Sequence, residues 1–110
     1  MRLVRFAAAV VPLLFATAVL ADDVPLFKLV ARDGKFEPAT LEVPAGKRVR
    51  IEVANQNAKA IEFESKDLKQ EKVIAPGKSA VITLNALKPG EYRYFDEFQQ
   101  STGQGKVVAK

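Results

Sequence analysis

Hydrophobic and polar positions alternate in short runs along most of the chain. Phe27, Leu29 and Ala31 alternate with Lys28, Val30 and Arg32. Val49, Ile51 and Val53 alternate with Arg48, Arg50 and Glu52, the clearest half-buried strand in the sequence. Ile61 and Phe63 alternate with Glu62 and Glu64, and Ala80, Ile82 and Leu84 alternate with Val81 and Thr83. Leu41-Glu42-Val43, Val73-Ile74, Tyr92-Arg93-Tyr94-Phe95 and Lys106-Val107-Val108-Ala109 complete the apolar runs. Turn chemistry separates them: Asp33-Gly34, Pro44-Ala45-Gly46, Asn55 to Asn57, Ala75-Pro76-Gly77, Lys88-Pro89-Gly90, and a loop marked by Gly103 and Gly105. Ser65 to Glu71 is polar and reads as a loop or one helical turn. No stretch holds a 3.6-residue period. Seven or eight short strands with a turn every 8–12 residues or so predict an all-β sandwich or barrel.

The first 21 residues follow a different pattern. Arg2 and Arg5 precede an apolar run from Phe6 to Leu20, and Val19-Leu20-Ala21 places small residues where a signal peptidase reads them. The expectation is a cleaved signal peptide over 1–21, export to the periplasm, and one domain over 22–110. The 110 residues less these 21 leave 89. Losing the two arginines takes the formal charge from +4 to +2, so the basicity of the whole chain overstates that of the domain. The lysines are scattered along the sequence, which gives no case for a nucleic-acid partner.

Composition then removes most catalytic chemistry. The chain has no Cys and no His, and its one Met is Met1. Disulfides, thiolate metal sites, Cys nucleophiles, imidazole bases and His-ligated metals are all excluded. Any metal must be held by oxygen: Asp, Glu, amide side chains or backbone carbonyls.

The order of the turns carries a family resemblance over essentially all of 22–110. Phe36-Glu37-Pro38 before a strand, Val43-Pro44-Ala45-Gly46, Ala75-Pro76-Gly77, Leu87-Lys88-Pro89-Gly90-Glu91-Tyr92 and Gly105-Lys106-Val107-Val108 together resemble a cupredoxin. The resemblance implies a Greek-key β-sandwich. In copper-carrying members, a loop reading Tyr-x-aromatic-aromatic-Cys-x-x-His supplies ligands. Here that loop is Tyr92-Arg93-Tyr94-Phe95-Asp96-Glu97-Phe98-Gln99, with Asp96 in the Cys place and Gln99 in the His place. The other His place falls at Ile61 or Glu62. A type 1 copper centre needs two imidazoles and a thiolate, so blue-copper electron transfer is excluded.

A narrower resemblance is to the periplasmic cupredoxin-like component of bacterial ferrous-iron permease systems, carried by Glu62-Phe63-Glu64, Glu71 to Gly77 and Phe95-Asp96-Glu97-Phe98. It implies iron, Fe2+ or Fe3+, as the metal rather than copper, with the membrane permease and its periplasmic partner proteins as company. The candidate metal ligands are Glu62 and Asp96 first, then Glu64, Glu97, Glu71 if its loop folds back, and the amide of Gln99. Such an oxygen set suits Fe(II), Fe(III), Mn(II), Mg(II) or Ca(II) and is poor for Cu(I).

Plainer readings stand beside these. Outward Glu residues on a strand are usually solvated, and Lys59, Lys66 or Lys72 can pair with them. The aromatic strand reads as core, with Phe98 a docking residue if exposed. Lys47, Lys66, Lys69 and Lys72 read as edge protection. Three functions stay open: a metal-binding accessory protein of iron uptake, a metal-free docking module, and a ferroxidase component, for which the chain offers no group to accept electrons. Oligomeric state is left open.

Overall fold

The computed structural model describes residues 23–110, so the signal-peptide expectation lies outside the described residues. The described chain forms nine strands: β1 (Leu26–Arg32), β2 (Lys35–Glu37), β3 (Thr40–Val43), β4 (Val49–Asn55), β5 (Ile61–Ser65), β6 (Gln70–Ile74), β7 (Ser79–Leu84), β8 (Gly90–Asp96) and β9 (Gln104–Ala109). One 3-10 turn, Glu97–Gln99, follows β8.

The strands make two sheets packed as a sandwich. One has the order β2-β1-β4-β7 and the other β3-β9-β8-β5-β6. The pairs β1/β4 and β3/β9 are parallel and the remaining pairs antiparallel. Period-two alternation decides which side chains meet between the sheets. Leu29, Ala31, Val49, Ile51, Val53, Ile82 and Leu84 come from one sheet, and Leu41, Val43, Ile61, Phe63, Ile74, Tyr94, Val107 and Ala109 from the other. Phe36, Phe63 and Tyr94 form an aromatic triad, with Tyr94 5.1 Å from Phe36 and 5.0 Å from Phe63. Burying each of these large side chains contributes roughly 1.5–3 kcal/mol, which lets the sandwich stand without a disulfide.

Two elements depart from the sequence pattern. β2 carries one buried side chain, Phe36, so it shows no alternation to read. β6 begins inside the stretch read as a loop, because it is an edge strand with Glu71, Lys72 and Val73 all exposed.

Three loops gather at one pole. The Asp33-Gly34 turn joins β1 to β2 with both residues at positive φ, 54° and 75°, which Asp-Gly accommodates in a two-residue hairpin turn. Gly34 N–H donates to Asn57 Oδ1, and Gly34 O accepts from Thr102 Oγ1. Asn55 is 1% exposed. Its Nδ2 donates to Lys59 O and Ile74 O, while its Oδ1 accepts from the Asn57 backbone and side chain. A buried amide with its valences filled ties the 56–60 loop to β6. The residues that break the β4 pattern therefore organise the pole.

Candidate functional site

Alternation on β5 puts Ile61, Phe63 and Ser65 inward and leaves Glu62 and Glu64 on the outer face of the five-stranded sheet. The β5/β6 hairpin sets Glu64 directly opposite Glu71 and Glu62 opposite Val73. Glu71 therefore reaches the group through strand register, not through a folded-back loop. One carboxylate oxygen from each of Glu62, Glu64 and Glu71 lies within 4.8 Å of the others. Hard cations hold oxygens at about 2.0–2.6 Å, so ligands of one ion sit roughly 3–5 Å apart. The three carboxylates already have the spacing of a shared cation site.

Their electrostatics record the crowding. A hydrogen bond with Glu71 pushes the Glu62 carboxyl above its ordinary value, helped by partial desolvation and by the charges of Glu71, Glu64 and Glu97. Partial desolvation raises Glu64, followed by a hydrogen bond with Glu97 and the charges of Glu97 and Glu71, with Lys66 opposing. Like charges this close disfavour full ionisation. Among the described residues no cation within 4.0 Å neutralises any of the four. The ion pairs are Arg32–Glu37, Lys106–Glu91 and Lys110–Glu42. Lys72 pairs in register with Phe63, on the opposite face from the glutamates.

Asp96 and Gln99 are placed differently. Asp96 is 3% exposed and closes β8 on the core side. Its Oδ1 accepts from Glu62 N–H and from Phe98 N–H, both at 3.0 Å. It thus caps the 3-10 turn and staples β8 to β5. Asp96 meets Glu62 at the backbone, while the Glu62 carboxylate points to the other face. Gln99 lies against the Gly34 turn: a Cβ added at Gly34 would collide with its Oε1. Its carbonyl accepts from Thr102 and Gly103. Gly103 is buried against Asp96 Cβ, Gln99 O and Gly34 O, so both loop glycines permit close packing beyond their turn role. Glu97 joins the face group through Glu64 and accepts 2.9 Å from Gln100 Nε2.

The structure thus brings together Glu62, Glu64, Glu71 and Glu97 and sets Asp96 and Gln99 apart at the pole. Two exposed apolar side chains flank the face group: Phe98, 54% exposed, and Val73, 59% exposed. Phe95 lies half-buried on the same outer face, opposite Glu64. The sequence pattern did not single out Arg93 and Lys106, which also face outward, paired across β8 and β9. They border a cleft of about 400 Å³ beside Phe95. An outward cation in an alternating strand looks like any solvated residue, so no sequence signal marks them.

Comparison with known proteins places the architecture. A family model of the cupredoxin-like domain matches residues 5–109. An uncharacterized protein of Rickettsia prowazekii (strain Madrid E) is 39% identical over 87 residues, covering 79% of this chain and 70% of that protein. The iron uptake system component EfeO of Escherichia coli (strain K12) is 40% identical over 85 residues, covering 72% of this chain. This chain spans only 22% of that component's length. Among solved structures, auracyanin A, a blue copper protein of Chloroflexus aurantiacus, superposes with a TM-score of 0.67 at 16% identity, covering 78% of this chain and 99% of its own. Amicyanin of Paracoccus versutus superposes with a TM-score of 0.60 at 15% identity, covering 84% and 86%. At those identities the likeness is one of fold. The chain belongs to the cupredoxin-like domain family. With no Cys and no His it holds no blue-copper site.

Proposed function

We propose that this chain is an exported, periplasmic metal-binding component of ferrous-iron uptake, taking iron as cargo on the outer face of its five-stranded sheet. Glu62, Glu64 and Glu71 are the ligands, with Glu97 completing the group. The observation that carries the reading is the convergence of three carboxylates, free of ion pairs among the described residues, on one potential ion. Three negative oxygen donors make a hard site that favours Fe(II), Fe(III) or Mn(II) and disfavours Cu(I). The 40% identity to an iron uptake component supports iron as the cargo. The Arg2–Ala21 leader pattern supports export. A membrane permease and its periplasmic partners would receive the cation.

Isothermal titration with Fe(II) and Mn(II) tests this. Binding is expected, and Glu62→Ala or Glu64→Ala should weaken it. If neither metal binds, the cargo reading is lost.

A second reading is a metal-free docking module, favoured by Phe98 and Val73, whose exposure beside the carboxylates gives a partner apolar anchor points. It predicts that Phe98→Ala abolishes partner capture while metal has no effect. A ferroxidase role is the third, and oxygen consumption on adding Fe(II) to the purified protein tests it.

A further inference from the structure

A cleft opens on the outer face next to the carboxylates, and a smaller one lined by Lys66, Asp67, Arg93 and Phe95 adjoins it. The first has a volume of about 400 Å³, within the range of small-ligand sites. It opens where the chain crosses from β2 to β3, so that β9 gains its β3 neighbour only from Lys106 onward. Arg93, Lys106, Thr40, Gln100 and Gln104 surround it, and Phe95 supplies an apolar wall.

Its cations are available. Among the described residues, the Arg93 guanidinium has no ion pair within 4.0 Å, although the Arg93 backbone N–H is held by Asp67 Oδ2. Lys106 meets Glu91 at 3.2 Å, but that pair is exposed, at 32% and 55%. Exposed pairs of this kind are worth little and exchange readily. A guanidinium, an ammonium and a hydroxyl around one hollow favour an oxygen-rich anion, while the Gln104 amide donates to the Gln100 carbonyl.

Two lining residues link the cleft to the carboxylate group. Phe95, its wall, stands opposite Glu64 in register. Gln100, at its rim, donates to Glu97. Positive and negative groups are thus separated by the width of one strand, an arrangement that fits a ligand with both signs of charge.

We propose that the cleft receives the carboxylate end of a small polycarboxylic acid that arrives chelating the cation bound by Glu62, Glu64 and Glu71. This rests on the cation-site reading given above. Arg93 and Lys106 take the carboxylates, and Glu64 and Glu97 face the metal. The same glutamates repel the acid when no metal neutralises it, so the complex is selected over the free chelator.

Citrate serves as the probe. The purified protein is titrated with Fe(III) citrate, with citrate alone and with Mn(II) alone. Fe(III) citrate is expected to bind at least about tenfold more tightly than citrate. Arg93→Gln should weaken Fe(III) citrate about tenfold, the loss of one charge-assisted contact, and leave Mn(II) within about twofold. Lys106→Gln should act the same way, and Arg50→Gln, on the other sheet, should change nothing. Retention of the Asp67 contact by the backbone keeps Arg93→Gln folded, which thermal unfolding checks. Equal Fe(III) citrate affinity in wild type and both cleft variants overturns the inference, as does citrate binding as tightly as its iron complex. In that case Mn(II) binding that still depends on Glu62 and Glu64 leaves the cation site standing. Absence of binding by every metal probe sinks the site and this inference together.

Discussion

The loop pole and the outer face of the five-stranded sheet both carry carboxylates, yet they use them in opposite ways. At the pole, Asp96 is almost wholly buried and accepts two backbone N–H groups. On the face, Glu62, Glu64 and Glu71 stand half-exposed or exposed, crowd within 4.8 Å and form no ion pair within 4.0 Å among the described residues. A carboxylate with one oxygen held by two of the chain's own backbone amides braces the fold. One that is raised by its neighbours and left unpaired is free to bind. The position that resembles a copper ligand in sequence is thus tied to two backbone amides through one oxygen, and the crowded carboxylates lie one sheet-face away.

The comparison breaks most easily at Asp96. Asp96→Ala orphans the part-buried N–H groups of Glu62 and Phe98, which should cost about 1–3 kcal/mol of stability. Urea denaturation measures the loss. Asp96→Asn keeps an acceptor oxygen and should recover part of it. Metal affinity measured well below the unfolding midpoint should hardly change. If Asp96→Ala instead leaves stability intact and removes metal binding, the roles assigned to pole and face are reversed.

Gly34→Ala is the second test of the pole. The residue sits at φ 75° and its added Cβ would strike the Gln99 side chain. The left-handed backbone and the displaced amide together should cost about 1–2 kcal/mol, read as a lower urea midpoint. An unchanged midpoint would mean that Gln99 moves away freely and does not hold the turn.

The face is probed by Glu62→Gln combined with Glu64→Gln. Neutral amides keep the shape and remove two charges from the proposed cation site. Fe(II) and Mn(II) affinity should fall at least about tenfold, or about 1.4 kcal/mol. Stability of the metal-free chain at neutral pH should rise slightly, because the change relieves repulsion. A variant that binds metal as the wild type does would assign the cation to other residues.

How far these roles are legible in the sequence follows from how local each one is. The alternation of Val49, Ile51 and Val53 gave β4 its inward face, and that of Ile61 and Phe63 put Glu62 and Glu64 together outside. Both depend on nearest neighbours along one strand. Glu71 depends on a hairpin register, and β6 has too few buried positions to announce itself as a strand. Asp96 was visible as a substitution at a family position, but the direction of its side chain depends on amides of Glu62 and Phe98 brought there by two elements. Asn55 read as a strand break and is a buried junction. Arg93 and Lys106 become a pair only through β8/β9 register. Register between strands is the information that the linear pattern lacks.

The smallest expected effect separates pole from face by pH alone. Glu62 and Glu64 have carboxyl pKa values raised above the ordinary 4.5. The native state therefore holds their protons more tightly than the unfolded chain does. For a raised carboxyl the native state gains at low pH, and the gain is lost as pH climbs from about 4.5 through the raised values. The metal-free protein should become modestly more stable on acidification from neutral pH toward about pH 5. Glu62→Gln with Glu64→Gln should remove that slope, while Gly34→Ala should lower the whole curve without changing its shape. Bound metal should invert the trend, because protons compete with the cation for the same oxygens. Urea midpoints across pH 5–8, with and without Mn(II), read all three curves. Parallel curves for wild type and the Gln variant would show that the face carboxylates titrate alike in folded and unfolded chains, and the electrostatic contrast with the pole would fail.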